Sequence, residues 1–223
     1  MRFILFFIAS ISYLFVLFQL PLIESYFVEM NFSWSLSKIL PYVMMFIFVV
    51  LISWRISHLI LLPTPRAKSI LKIGVLVGLM SLGFAIQPIY EGEFNDNITP
   101  AISDQLRFRN TDLVMVAIPR CNYCLASLDD VKQLKRRNPS MRIQVVLCRP
   151  NRKDLNQYRK IAGNSIRISR ASDPDEITAL VSGKFPTFLR VKNGKIKLLW
   201  PNNRFGAGAK DFLENQLQDS KLN

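Results

Sequence analysis

The chain has 223 residues, half of them hydrophobic, with 29 Lys and Arg against 16 Asp and Glu, three cysteines and one histidine. That length holds one domain, or one domain with an appendage, and a zinc site built from Cys121, Cys124 and Cys148 lacks a credible fourth ligand, because the single histidine, His58, lies in the apolar N-terminal part. Apolar and charged residues are segregated. Positions 1–88 carry six Lys and Arg and two Glu, whereas residues from Glu91 onward carry 23 against 14, a formal +9.

Three apolar runs fill the first part. FILFFIASISYLFVLFQLPLI (3–23) is long enough to span a bilayer core. The second, about 39–60, spans if Arg55 and His58 lie near its inner end, where a long side chain snorkels. The third, about 70–88, is shorter and flanked by Lys72. PLIESYF after the first run offers no small-x-small cleavage site, so an uncleaved span is expected. The loop between runs two and three carries Arg55, Arg66, Lys68 and Lys72, while no Lys or Arg follows run three before Arg107. Basic loops stay in the cytoplasm. The expectation is a membrane anchor over 1–90 with three transmembrane helices, its N-terminus cytoplasmic. In a bacterium that makes an inner-membrane protein with its C-terminal domain in the periplasm, or outside the cell, where disulfide chemistry is usable. The anchor holds no cysteine, so tethering to the lipid bilayer is its expected role.

Residues 91–107 are polar and mixed, and read as a linker to a domain over 108–223. DLVMVAI (112–118) reads as a buried strand stopped by Pro119. From Cys121, apolar Leu125, Leu128, Val131 and Leu134 fall at helical spacing, with Asp129 and Asp130 early and a basic end. MRIQVVLC (141–148) is a second strand, 152–163 a helix closed by Gly163, 165–169 a strand and 173–183 a helix. FPTFLRVKNGKIKLLW (185–200) is a hairpin turning at Asn-Gly, and the chain closes as a helix with Phe212, Leu213 and Leu217 inward. This order implies an α/β fold, a mixed sheet with helices on both faces. The basic residues do not point to nucleic acid. Lys132, Lys135, Arg136 and Arg137 share one helical stretch, the rest are scattered among acids, and no aromatics interleave them.

Two cysteines stand in PRCNYCLASL, and by themselves they read as a redox couple, half a metal site, or two small buried residues. The strand–CNYC–helix unit, FPTF and the KNGKI hairpin with its following helix occur in the order of a thioredoxin-family domain, which residues 108–218 resemble. The 38 positions from Cys148 to Pro186 leave room for an extra strand and helix, as in the membrane-tethered thioredoxins of the bacterial envelope that serve cytochrome c maturation and disulfide reduction. The resemblance implies a thioredoxin-like fold and a thiol–disulfide oxidoreductase acting on protein disulfides or dithiols. It also implies a second redox protein that recycles the dithiol, with no cofactor and no metal. The alternative is a non-enzymatic thioredoxin-like interaction module presenting a basic face to a membrane partner.

Only a thiolate attacks a disulfide, so the first cysteine must be acidified below its free pKa of about 8.5. Cys121 falls at a helix N-terminus, where unpaired N–H groups favour an anion, and Arg120 adds a cation. Cys124, one turn on, is the resolving thiol. By resemblance, Pro186 carries a cis peptide bond after Phe185, faces the dithiol, exposes backbone groups to an extended substrate and keeps metal away. Arg120 stands where the family commonly has Trp, and the family's buried acid falls on Met115. Cys148 reads as a small buried hydrophobe, or alternatively as a third redox thiol.

Overall fold

The computed structural model describes residues 2–60, 64–90, 92–94 and 99–222. The chain divides into two compact units, Met1–Tyr90 and Glu91–Asn223.

The first unit is helical: α1 (Arg2–Phe18), α2 (Leu20–Glu29), α3 (Trp34–Leu59) and α4 (Pro65–Ile86). The first apolar run is not the single straight span expected from its length. It breaks at Gln19, where α1 and α2 meet at a 77° bend. Pro21 sits in the first turn of α2; proline has no N–H and cannot continue a helix laid before it. Two helices, α3 and α4, are thus long and apolar enough to cross a membrane, or three spans exist if the bent pair counts as one. Ser33 caps α3 by accepting from Leu36 N–H, and Thr64 caps α4 by accepting from Ala67 N–H. Tyr13, Val16, Leu17, Met45, Val49 and Ile52 form the interior between these helices. Inside this unit two hydroxyls find backbone partners on α4. Tyr13 Oη donates to the Leu79 carbonyl at 2.7 Å, and Ser53 Oγ to the Lys72 carbonyl at 2.7 Å. Phe7, Ile11, Phe15, Phe18, Ile70 and Ile73 face outward, as helices solvated by lipid would have them.

In the second unit a six-stranded sheet has the order β1-β6-β5-β2-β3-β4. Its strands are β1 (Thr99–Arg107), β2 (Leu113–Ala117), β3 (Ile143–Leu147), β4 (Arg167–Arg170), β5 (Thr187–Lys192) and β6 (Lys195–Pro201). Strands β2, β3 and β4 run parallel, and β5, β6 and β1 are joined by antiparallel pairing. β1 corrects the linker expected over 91–107. TPAISDQLR has no apolar alternation to announce a strand, yet its backbone pairs with β6 through an irregular register. An edge strand is held by backbone bonds along one side, so it needs no apolar run.

β2 is buried at every position because both faces of the sheet are covered. α5 (Asn122–Arg137) and α6 (Arg152–Ala162) link the parallel strands and pack on one another. Right-handed crossovers put both on one face. α8 (Ala207–Leu222) joins α5, Glu214 taking a two-pronged hydrogen bond from Arg137. On the opposite face α7 (Pro174–Leu180) brings Ile177, with Val181 just beyond it, onto Val114, Val116, Val146, Cys148, Leu189 and Ile196. The hairpin turn has both Asn193 and Gly194 at positive φ (55° and 76°), the two-residue geometry that matches strand twist.

Candidate functional site

β2 ends at Ala117, and Ile118, Pro119 and Arg120 carry the chain to α5. Arg120 adopts φ 57°, which turns the backbone sharply enough to set Cys121 as the N-cap of the helix. Cys121 Sγ accepts the Cys124 N–H at 3.1 Å, the bond a Ser or Asp cap would otherwise take. The two cysteines form a disulfide, with Cα atoms 5.1 Å apart. Cys124 is fully buried, Cys121 is half-buried, and Asn122 and Tyr123 between them are exposed, Tyr123 at 72%. One cysteine is thus half-exposed at a helix N-terminus while its partner lies inside. This asymmetry suits a nucleophile and a resolving group: an anion on the outer sulfur meets the helix N–H groups.

Phe185 and Pro186 immediately precede β5, the strand beside β2. β5 pairs with β2 so that Met115 opposes Phe188 and Val116 opposes Thr187. One step further along the same antiparallel register sets Pro186 beside Ala117, at the end of β2 from which the chain leaves for Cys121. The Phe185–Pro186 peptide is cis. Pro186 is buried and Phe185 half-buried against the cluster on the α7 face. Thr187 Oγ1 donates to the Lys184 carbonyl at 2.6 Å and fixes the approach to this segment.

Met115 is fully buried in the middle of β2, between Val145 and Phe188. Asp112 precedes the start of β2 and so lies at the opposite end of the strand from the dithiol. There its carboxylate accepts from Arg142 Nε at 3.0 Å, Nη2 at 2.7 Å and the Arg142 N–H at 2.9 Å. Burial alone would raise the Asp112 carboxyl; the Arg142 hydrogen bonds, with the Arg142 and Arg190 charges, outweigh it and hold the group below its usual range. Cys148 is 4% exposed, and its N–H donates to the Ala117 carbonyl at 2.9 Å, so it ends β3 beside the end of β2. Burial pushes its thiol up, against smaller downward pulls from Thr178 and Arg149. Among the described residues no group of three His, Cys, Asp or Glu is arranged to hold a metal ion.

Two supports of this end of the sheet escaped sequence reasoning. Tyr158 of α6 is 1% exposed, and its Oη donates to the Ile118 carbonyl at 3.0 Å, pinning the segment that leads to Cys121. Ser127 Oγ meets the Tyr123 carbonyl at 2.9 Å and Asn202 Oδ1 at 3.2 Å, tying the loop after β6 to the first turns of α5. Neither pair has a local signal, because each joins residues 40 or more apart in sequence.

No protein-family model matches the chain, and no curated protein does. Among solved structures, the chain is similar to a secreted Mycobacterium tuberculosis disulfide oxidoreductase described as homologous to E. coli DsbE. The identity is 16%, the match covers 48% of this chain and 79% of that one, and the TM-score is 0.37.

Proposed function

We propose that this chain is a membrane-anchored thiol–disulfide oxidoreductase with a thioredoxin-like domain, acting on extracytoplasmic proteins through Cys121 and Cys124. The observation that carries the reading is the disulfide at the N-terminus of α5, half-exposed at Cys121 and buried at Cys124. In the reduced protein the Cys121 thiolate attacks a partner disulfide. A Cys121–partner bond forms, the partner's own S–S bond breaks, and one partner thiolate leaves. Cys124, deprotonated, then attacks Cys121 Sγ and releases the second partner thiolate. The partner gains two electrons, and the Cys121–Cys124 disulfide described above is left. The reverse sequence oxidises a partner dithiol, and the reduction potentials of the two couples set the direction.

Arg120, exposed beside the nucleophile, favours its thiolate. Phe185 and Pro186, just before β5, form the platform beside which a partner segment lies. A second redox protein recycles the dithiol. The helices of the first unit hold the domain at the bilayer, with the N-terminus in the cytoplasm and the basic ends of α3 and α4, which carry Arg55, Arg66, Lys68 and Lys72, retained there.

The competing reading, a non-enzymatic interaction module, is favoured by one observation: Met115 occupies, fully buried, the place of the family's acid. Trapping in cells separates them. A Cys124→Ala protein is expected to accumulate mixed disulfides through Cys121, which vanish on further change of Cys121. Complete absence of such adducts, together with no exchange by the wild type, favours the module.

A further inference from the structure

We infer that the face around the dithiol selects partner polypeptides whose reactive cysteine is flanked by carboxylates; this rests on the oxidoreductase reading above. The sheet order sets β6, β5 and β2 side by side, so three loops meet at one edge of the domain. They are 118–121 after β2, 183–186 before β5 and 202–206 after β6. Each carries one cation, respectively Arg120, Lys184 and Arg204, and none carries an acid. All three side chains are exposed, and none makes an ion pair among the described residues. The Ser127–Asn202 contact holds the third loop against the helix that carries the cysteines.

Acids nearby are either engaged or set to one side. Asp129 pairs with Lys132, and Asp130 with Lys210. Glu93 packs on the third loop against Gly206, its carbonyl accepting the Gly208 N–H at 2.9 Å, and is engaged in contacts of its own. On the other flank of the dithiol, after β3 and β4, the balance differs. Arg149 is paired with Asp175, and Asp173 caps α7. That flank also carries Arg152, Lys153 and Arg170, but Asp154, Asp173, Asp175 and Glu176 stand among its cations, so net positive charge is concentrated on the β6–β5–β2 side. Ile118 and Phe185, half-buried, and exposed Tyr123 add apolar surface within it. A segment with Asp or Glu beside its cysteine meets these charges on approach, and a segment with Lys or Arg is repelled.

Three synthetic peptides test this. Each has one intramolecular disulfide, with flanking positions that are all Asp/Glu, all Ser/Asn or all Lys. The full-length protein in neutral detergent is reduced with excess dithiothreitol, freed of it, and mixed with each peptide. Each rate is divided by that of dithiothreitol with the same peptide, which removes differences in the peptides' own reactivity. At low salt the expected order is acidic, neutral, basic, with about tenfold or more between the extremes. That spread collapses in about 0.5 M salt, where charges are screened. Lys184→Glu with Arg204→Glu, which leaves Arg120 and both cysteines in place, is expected to invert the order. Equal normalised rates for the three peptides at low salt overturn the inference and leave the oxidoreductase reading standing. So does an order that the double variant leaves unchanged. No exchange with any peptide overturns both.

Discussion

The Cys124 N–H donates to Cys121 Sγ at 3.1 Å, so the first sulfur is bound by the backbone of the residue that carries the second. This bond persists only if Cys121 stays at the N-cap, and it is stronger when the sulfur is an anion. In the reduced protein Cys121 is therefore expected to ionise below the free-thiol value of about 8.5, and Cys124, buried, above it. Iodoacetamide labelling with peptide mapping checks this. Cys121 is expected to react at least about tenfold faster than Cys124 at pH 7. Equal rates would remove the division of roles.

Cys148 packs on the α7 face among Val116, Val146 and Ile177. With its thiol pushed up by burial it is expected to resist alkylation in the folded protein and to label only on unfolding. Cys148→Ala is expected to keep full exchange activity while losing about 1 kcal/mol of stability. An activity loss greater than about tenfold, with the protein folded, would make it a third redox thiol instead.

These cysteines show how far the sequence reaches. The motif places Cys121 and Cys124 on a helix after a buried strand because both elements announce themselves, LVMVA by continuous apolarity and α5 by its 3.6-residue spacing. The Asn193–Gly194 turn is equally local. β1 is not legible, since a polar edge strand is defined by its partner, β6. The break at Gln19 hides inside an uninterrupted apolar run, where only Pro21 marks it. In the site, Tyr158 and Asn202 could not be read at all, because their roles exist only once distant segments are packed.

Tyr158 makes the next prediction. Its phenol is pushed up to about 12, by burial first and the Asp154 charge second. A folded pKa above the unfolded value means that the contribution is complete below about pH 10 and is lost as pH rises from there to about 12. The loss amounts to roughly 2–3 kcal/mol. Tyr158→Phe leaves the Ile118 carbonyl unpaired and is expected to cost about 1–2 kcal/mol at pH 7, with a flatter alkaline decline than the wild type. Urea titrations of the full-length protein in detergent at pH 7, 9 and 11 measure both. Parallel pH dependence in the two proteins would refute the assignment.

Asp112 acts at the acid end. Its carboxyl is held below the unfolded value of about 3.9, so its contribution is present above that pH and is lost as pH falls through the folded pKa. Arg142 is half-exposed, and screening limits the pair, so Asp112→Asn is expected to cost about 1–2 kcal/mol at pH 7 and less at pH 3. Arg190, 6% exposed and donating to the Asp112 carbonyl, loses a compensating charge in the same variant. Unfolding midpoints at pH 7 and pH 3 give the comparison. A cost that is the same at both values would assign the effect to packing and not to charge.

The decisive experiment on function is catalysed exchange between the full-length protein and a model protein disulfide, followed beside Cys121→Ser and Cys124→Ser variants of equal stability. The wild type is expected to accelerate exchange at least about a hundredfold over an equal concentration of a free thiol. Cys121→Ser is expected to abolish exchange, and Cys124→Ser to stop it at a trapped mixed disulfide. A wild-type rate no greater than that of the free thiol, from folded protein with both cysteines reduced, would contradict the oxidoreductase reading.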